Sequence, residues 1–218
     1  MLSPWILFPI GGYLLGSIPF GKFLARLVAR IDITERGSRN IGATNVAREL
    51  GIKWGLITLV LDLLKGLVPV VLFQLLASDS QSGHDLWLAA VALSPLLGHQ
   101  FSIFMGLRGG KGVSTALGVY LGISPLACAG AIVLFLIVTY LWDFVSLGSM
   151  VAACSLPGLL LLMGKPHPVV IGALVAALLI CIKHRENIQR LIKGKERKWR
   201  EGRAQARRSN SLSNSSSE

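Results

Sequence analysis

Val113-Ser-Thr-Ala-Leu-Gly-Val-Tyr-Leu-Gly-Ile-Ser-Pro-Leu-Ala-Cys-Ala-Gly-Ala-Ile-Val-Leu-Phe-Leu-Ile-Val-Thr-Tyr-Leu-Trp142 can be read in two ways. It is either one long tilted helix or two short helices broken at Ser124-Pro125, because proline disfavours a helical residue before it. The count decides the side of the membrane on which the C-terminus lies. One helix leaves the C-terminal tail outside and two bring it inside. From Lys183 to Glu218 there are 11 Lys/Arg against 4 Asp/Glu, which is +7 of the chain's net +11. Basic flanks stay on the cytoplasmic side, so two helices are expected, near 113–124 and 126–142. Each falls short of the ~20 residues of a full span, so they are expected to tilt or to sit where the bilayer is thinned.

The rest of the chain fits that frame. The 218 residues are 52% hydrophobic and only 15% charged, with mean hydropathy +0.61. This is too apolar for a soluble domain and fits a polytopic membrane protein. Further apolar segments lie near 5–25, 54–77, 86–105, 145–163 and 168–183. The linker 78–85 (SDSQSGHD) has no Lys or Arg and is expected outside. The expected fold is therefore an all-α integral membrane protein, a bundle of about seven transmembrane helices. Its N-terminus would be out and its C-terminus cytoplasmic, with residues 1–200 forming one domain. Residues 201–218 are basic and Ser-rich and are expected to be disordered. The first segment has neither a basic leader nor an A-x-A site, so it is expected to be retained. Cys128, Cys154 and Cys181 sit in apolar runs and read as packing residues, not metal ligands. The positive charge has no folded basic module with it, so nucleic acid is not an expected partner. The bilayer is.

Three polar clusters fall on the cytoplasmic side. Gly37-Ser-Arg-Asn-Ile-Gly-Ala-Thr-Asn45, followed by Arg48, combines small residues, hydroxyls, amides and arginines suited to wrapping an anion. It also reads as an ordinary loop with a helix capped at Thr44 or Asn45. Gly109-Gly-Lys-Gly112 offers backbone N–H groups and a cation to one small volume, as a phosphate requires. It is not a Walker A motif, because the spacing from Gly106 is one residue short and Gly112 stands at the Ser/Thr position. Its plain reading is a snorkelling lysine at a helix end. Lys183-His-Arg-Glu-Asn-Ile-Gln-Arg190 would place His184, Asn187 and Leu191 on one helix face, or form a solvated juxtamembrane helix. Three such clusters on one membrane face point to phosphate chemistry at the bilayer surface. A transporter would instead show repeats and midplane polar residues.

Gly16-Ser-Ile-Pro-Phe-Gly, Gly37-Ser-Arg-Asn-Ile-Gly-Ala-Thr-Asn-Val, Leu61-Asp-Leu-Leu-Lys-Gly, Gly98-His, Gly109-Gly-Lys-Gly-Val-Ser-Thr-Ala-Leu-Gly and His184-Arg-Glu-Asn-Ile occur in that order. The set resembles the bacterial acyl-phosphate:glycerol-3-phosphate acyltransferases, the PlsY family, over about residues 11–197. The resemblance implies a seven-helix enzyme of the bacterial inner membrane with a cytoplasmic site. It would move a fatty acyl group from acyl phosphate to the 1-hydroxyl of glycerol 3-phosphate, giving lysophosphatidic acid and phosphate. No cofactor or metal is implied, and the soluble enzyme that makes acyl phosphate is a possible partner. The other acyltransferase class uses His-x4-Asp. Here the residues five after His84, His99, His167 and His184 are Ala89, Phe104, Gly172 and Gln189.

The resemblance implies Ser38 and Arg48 as phosphate-binding positions, Lys111 as the lysine of a phosphate loop, and His184, Asn187 and Glu196 around the site. Arg39 stands where the family commonly has glycine, which leaves the shape of that loop open. Asn40, Asn45, Gly109, Gly110, Gly112 and Arg190 complete the expected phosphate-binding set. The proton acceptor for the hydroxyl is His184 by its ordinary pKa, or a substrate phosphate, with His184 then a neutral ligand. An acyl-Ser38 intermediate is disfavoured, because no base adjoins it and the donor is already activated. Asp62 and Lys65, three apart inside a span, are expected to pair and support the site. His99 is a candidate to point into it. Gly12, Gly16, Gly118 and Gly122 are expected to allow close helix packing.

Overall fold

A computed structural model describes residues 4–77 and 83–200. They form ten helices: α1 (Leu7–Ser17), α2 (Phe20–Ala29), α3 (Ala43–Leu50), α4 (Ile52–Leu76), α5 (His84–Gln100), α6 (Val113–Ile123), α7 (Pro125–Trp142), α8 (Val145–Leu162), α9 (His167–Lys183) and α10 (Arg185–Ile192). The expected tail at 201–218 lies outside the described residues. Among the described residues, four stretches are long and apolar enough to cross a bilayer alone: Pro4–Ala29, Ile52–Leu76, Pro125–Trp142 and Val145–Leu162. Joined to α10 across a 60° bend, α9 makes a fifth.

Local chemistry sets the breaks. The segment expected as one helix at 5–25 is two, because Pro19 has no N–H to donate and Ile18 turns extended (ψ 117°). The Ile18 carbonyl left at this break accepts a hydrogen bond from Lys65 Nζ at 3.0 Å. The third segment, expected to run to Met105, ends at Gln100. There the chain enters a tight turn, with Leu107 N–H donating to Ser102 O at 2.8 Å and both Gly106 and Leu107 left-handed. Residues 113–142 form two helices. Ser124 is the break and Pro125 starts α7, where its missing N–H costs nothing.

Two packing groups result. In the first, α1 lies on α5 and α4 lies on α6, with α3 across the start of α4. In the second, α7 lies on α8 and α8 on α9, and α9 joins the first group through α5. A Cβ on Gly16 would strike the Pro95 backbone, and one on Gly118 would strike the Leu63 carbonyl. These close approaches are what their spacing suggested. Between the groups, α6 and α7 diverge from Ser124 and leave a cleft.

Candidate active site

The cleft has a volume of about 600 Å³. Its walls are one face each of α3, α4, α6, α7, α8 and α9. On α7, for example, Cys128, Ala131, Phe135 and Thr139 recur at helical spacing. The deep part is apolar. The mouth carries Ser38, Arg48, Lys111, His184 and Glu196. All three sequence clusters therefore meet at one opening.

The first cluster folds around a single buried amide. Asn45 Nδ2 donates to the carbonyls of Ile33, Arg36 and Asn40 at 3.3, 3.1 and 2.8 Å. Its Oδ1 accepts from the Ser38 N–H at 2.9 Å. Asn45 touches the cleft, but its hydrogen-bonding capacity is spent on the loop. Asn40 Oδ1 likewise accepts from the Gly42 N–H at 2.9 Å. Neither Thr44 nor Asn45 caps a helix: α3 starts at Ala43, and Gly42 precedes it without a side-chain cap. This framework leaves Ser38 exposed at the rim and points Arg48 of α3 into the cleft. Arg48 Nε is buried and has no hydrogen-bond partner. Burial, with Arg197 nearby, lowers its pKa, though a guanidinium stays charged. A buried cationic donor without an acceptor is suited to an anionic oxygen.

The second cluster leads into α6. Gly110 N–H donates to His99 O at 3.1 Å, and a side chain on Gly110 would collide with the His99 ring. Gly112 is left-handed (φ 83°) and opens α6 without a side-chain cap. Free N–H groups of the first turn therefore face the same opening as Lys111. The Lys111 ammonium donates to Asn187 Oδ1. Burial brings its pKa down to about 8, against the pull of the Glu196 carboxylate.

The third cluster is not one helix face. His184 sits at the bend between α9 and α10, where its Nδ1 lies 2.8 Å from Ile180 O. A carbonyl only accepts, so Nδ1 carries the proton and Nε2 is a free acceptor. Burial and the neighbouring Lys111 ammonium pull His184 down to about 4, so it is neutral near pH 7. Asn187 Nδ2 and Ser146 Oγ donate to Glu196 Oε1 at 2.6 and 2.7 Å, and Arg190 Nε donates to Oε2 at 2.7 Å. Burial raises the Glu196 carboxyl, but those three hydrogen bonds outweigh it and leave the pKa below the usual value. Arg190 is occupied by Glu196 and lies 3.8 Å from Glu186. After α10 the chain returns across the mouth: Trp199 N–H donates to Asp143 O at 2.9 Å, and Arg200 N–H to Asp143 Oδ1 at 3.3 Å.

Of the expected residues, Ser38, Asn40, Asn45, Arg48, Lys111, Gly112, His184 and Glu196 line the cleft, as do Asp62 and His99 lower down. Gly109, Gly110, Asn187, Arg190 and Lys65 do not line it. Asp62 and Lys65 form a buried ion pair at 2.8 Å. His99 Nδ1 is 3.3 Å from Thr115 Oγ1 and 3.7 Å from Asp62 Oδ1, beneath the glycine loop. Sequence reasoning missed Ser146, Arg197 and Trp199, which also line the cleft. Ser146 is a single hydroxyl at the edge of an apolar run, and Arg197 is one of many tail cations. Neither carries a signal of its own. Among the described residues no group of His, Cys, Asp and Glu is arranged to hold a metal ion.

A family profile described as glycerol-3-phosphate acyltransferase matches residues 6–194. The glycerol-3-phosphate acyltransferase of Geotalea daltonii is 46% identical over 187 residues, covering 86% of this chain and 93% of that protein. That of Geobacter sulfurreducens is 46% identical over 201 residues, covering 92% and 100%. The crystal structure of PlsY (YgiH), an integral membrane glycerol 3-phosphate acyltransferase, in its glycerol 3-phosphate form, superposes with a TM-score of 0.84 at 38% identity, over 90% of this chain and 96% of that one. Its lysophosphatidic acid form gives 0.82 at 38% identity, over 90% and 95%.

Proposed function

Because this chain belongs to the glycerol-3-phosphate acyltransferase family, we propose that its acyl donor is acyl phosphate and its products are lysophosphatidic acid and inorganic phosphate. The observation that carries this is the pairing of two half-buried cations, Arg48 and Lys111, with an apolar cleft below them. Such a cleft takes a molecule with a phosphate head and a hydrocarbon tail. The solved relative has a lysophosphatidic acid form and a glycerol 3-phosphate form, which have the chemistry of product and acceptor here. Leu56 of α4 and Leu136 of α7 line the cleft and are 52% and 57% exposed. The cleft thus opens sideways between those helices, where a membrane-dissolved donor can enter.

In the reaction, the glycerol hydroxyl oxygen bonds to the acyl carbon and the acyl carbon–phosphate oxygen bond breaks. Arg48, Lys111, Ser38 and the first-turn N–H groups of α6 hold the phosphates and stabilise the charge gathering on the leaving phosphate. His184 Nε2 accepts the hydroxyl hydrogen bond and aims the oxygen. With a pKa of about 4 it is a weak base, so the proton passes to the departing phosphate. Holding two reactants in line supplies up to roughly 7–11 kcal/mol in favourable cases, and the mixed anhydride needs no further activation. Asn187, Glu196, Arg190, Asn45 and His99 act as positioning residues. The site faces the cytoplasm in this reading, with the N-terminus outside, in the bacterial inner membrane. There the soluble enzyme that makes acyl phosphate can supply the donor.

The test is acyl transfer by purified protein to labelled glycerol 3-phosphate, with palmitoyl phosphate or palmitoyl-CoA as donor. Lysophosphatidic acid from the phosphate alone is expected, and it should be lost in a folded Lys111→Ala variant. Turnover with palmitoyl-CoA but not with palmitoyl phosphate would overturn the donor assignment.

A further inference from the structure

Gln100 and Lys183 take no part in the steps above, yet they join the two halves of the site. Gln100 is the last residue of α5 and is 0% exposed. Its Nε2 donates to the main-chain carbonyl of Lys111 at 2.9 Å. Its own main-chain carbonyl accepts from Lys183 Nζ at 2.6 Å. Lys183 ends α9 immediately before His184, and its ammonium stands 4.2 Å from the centre of the Phe101 ring. A cation on the last carbonyls of α5 is favoured by that helix's dipole. The line Lys183–Gln100–Lys111 therefore runs from the His184 helix, through the end of α5, into the phosphate loop.

Gln100 Oε1 is buried without a hydrogen-bond partner. An unsatisfied buried acceptor is unfavourable, and a leucine would fill the space without that defect. What distinguishes glutamine here is its donor, which is aimed at Lys111. Among the described residues, the direct hydrogen bond from the 109–112 loop to α10 is that of the Lys111 ammonium with Asn187, while Gly110 N–H also holds the loop to His99 O of α5. An arriving phosphate competes for that ammonium. The bond through Gln100 uses only the Lys111 main chain and persists when substrate binds.

We propose that Gln100 and Lys183 are positioning residues that together hold the Lys111 loop in register with His184 during turnover. The proposal rests on the acyltransferase reading and adds to it two residues that touch no substrate. A misplacement of about 1 Å at the loop is expected to lower kcat/KM by about 10- to 100-fold, chiefly through a higher KM for a phosphate substrate. The experiment measures kcat and KM for glycerol 3-phosphate and palmitoyl phosphate in Gln100→Leu, Lys183→Met, the double variant and Lys183→Arg, with the melting temperature of each. Because one strut can be broken only once, the double variant should lie within about threefold of the worse single one. Lys183→Arg keeps the donor and should stay close to the parent.

Hydrogen exchange supplies a readout that needs no activity: the amides of 109–112 should exchange faster in Lys183→Met, which is remote from them in sequence. This arm carries the test should Gln100→Leu fail to fold. Losses that multiply in the double variant, or unchanged exchange at 109–112 in Lys183→Met, would overturn the strut. A parent that makes no product would count against the acyltransferase reading instead, and the exchange measurement would still decide the strut.

Discussion

Arg39 holds a left-handed backbone conformation (φ 59°), and its N–H donates to Arg36 O at 2.8 Å. A side chain there is strained, which is why glycine suits the position. Arg39→Gly should raise stability by about 1 kcal/mol, seen as a higher melting temperature in detergent. A lower one would show that the arginine makes a contact worth more than the strain. Lys111 gives a pH signature. Its ammonium is fully present below its pKa of about 8 and is lost above it, so phosphate binding weakens on the alkaline side. The free enzyme's kcat/KM should fall about tenfold per pH unit beyond that point. In Lys111→Arg the limb should disappear, and its persistence would assign it to another group. That Lys111, Arg48 and His184 would gather at one opening was legible, because each sits in a polar cluster that interrupts the apolar runs. The loop-bracing role of Asn45 was not. An amide that binds phosphate and one that binds carbonyls look alike in sequence, and only the fold shows where its donors point.

At the scale of elements, the apolar runs gave α4 to α9, and Ser124-Pro125 marked the break between α6 and α7, while α1 and α2 were read as one segment and α3 and α10 lie in polar stretches. What it could not give were stops caused by tertiary partners. The end of α5 at Gln100 depends on a turn whose Ser102 Oγ donates to Ser17 O at 2.5 Å on α1. The division of α1 from α2, by contrast, has a local signal in Pro19, and Lys65 takes up the Ile18 carbonyl at the break. Helix packing makes a paired prediction. Gly118→Ala drives a methyl into the Leu63 carbonyl of α4 and should cost about 1–3 kcal/mol as an overpacked contact. Gly158→Ala, on an α8 face with nothing within 4 Å, should gain about 0.5–1 kcal/mol from helix propensity. Thermal unfolding of the two variants side by side checks this, and equal shifts would contradict the α4–α6 packing.

Across the whole molecule, the return of residues 193–200 over the mouth ties the end of the described chain to the α7–α8 corner through Asp143 and Ser146. A chain ending after Arg203 should therefore keep full turnover. One ending after Lys195 loses Glu196, and with it the common acceptor of Asn187, Ser146 and Arg190. It should lose activity by about 10²-fold or more. Comparing the two purified truncations decides the point, and an inactive but folded chain ending at Arg203 would refute the dispensable tail. The divergence of α6 from α7 has one more effect. A cleft that admits its greasy reactant from the side samples the leaflet, not the surrounding water, so the relevant abundance is molecules per area of bilayer. Adding inert phospholipid at constant total amounts of enzyme and donor should slow the reaction, although no bulk concentration has changed.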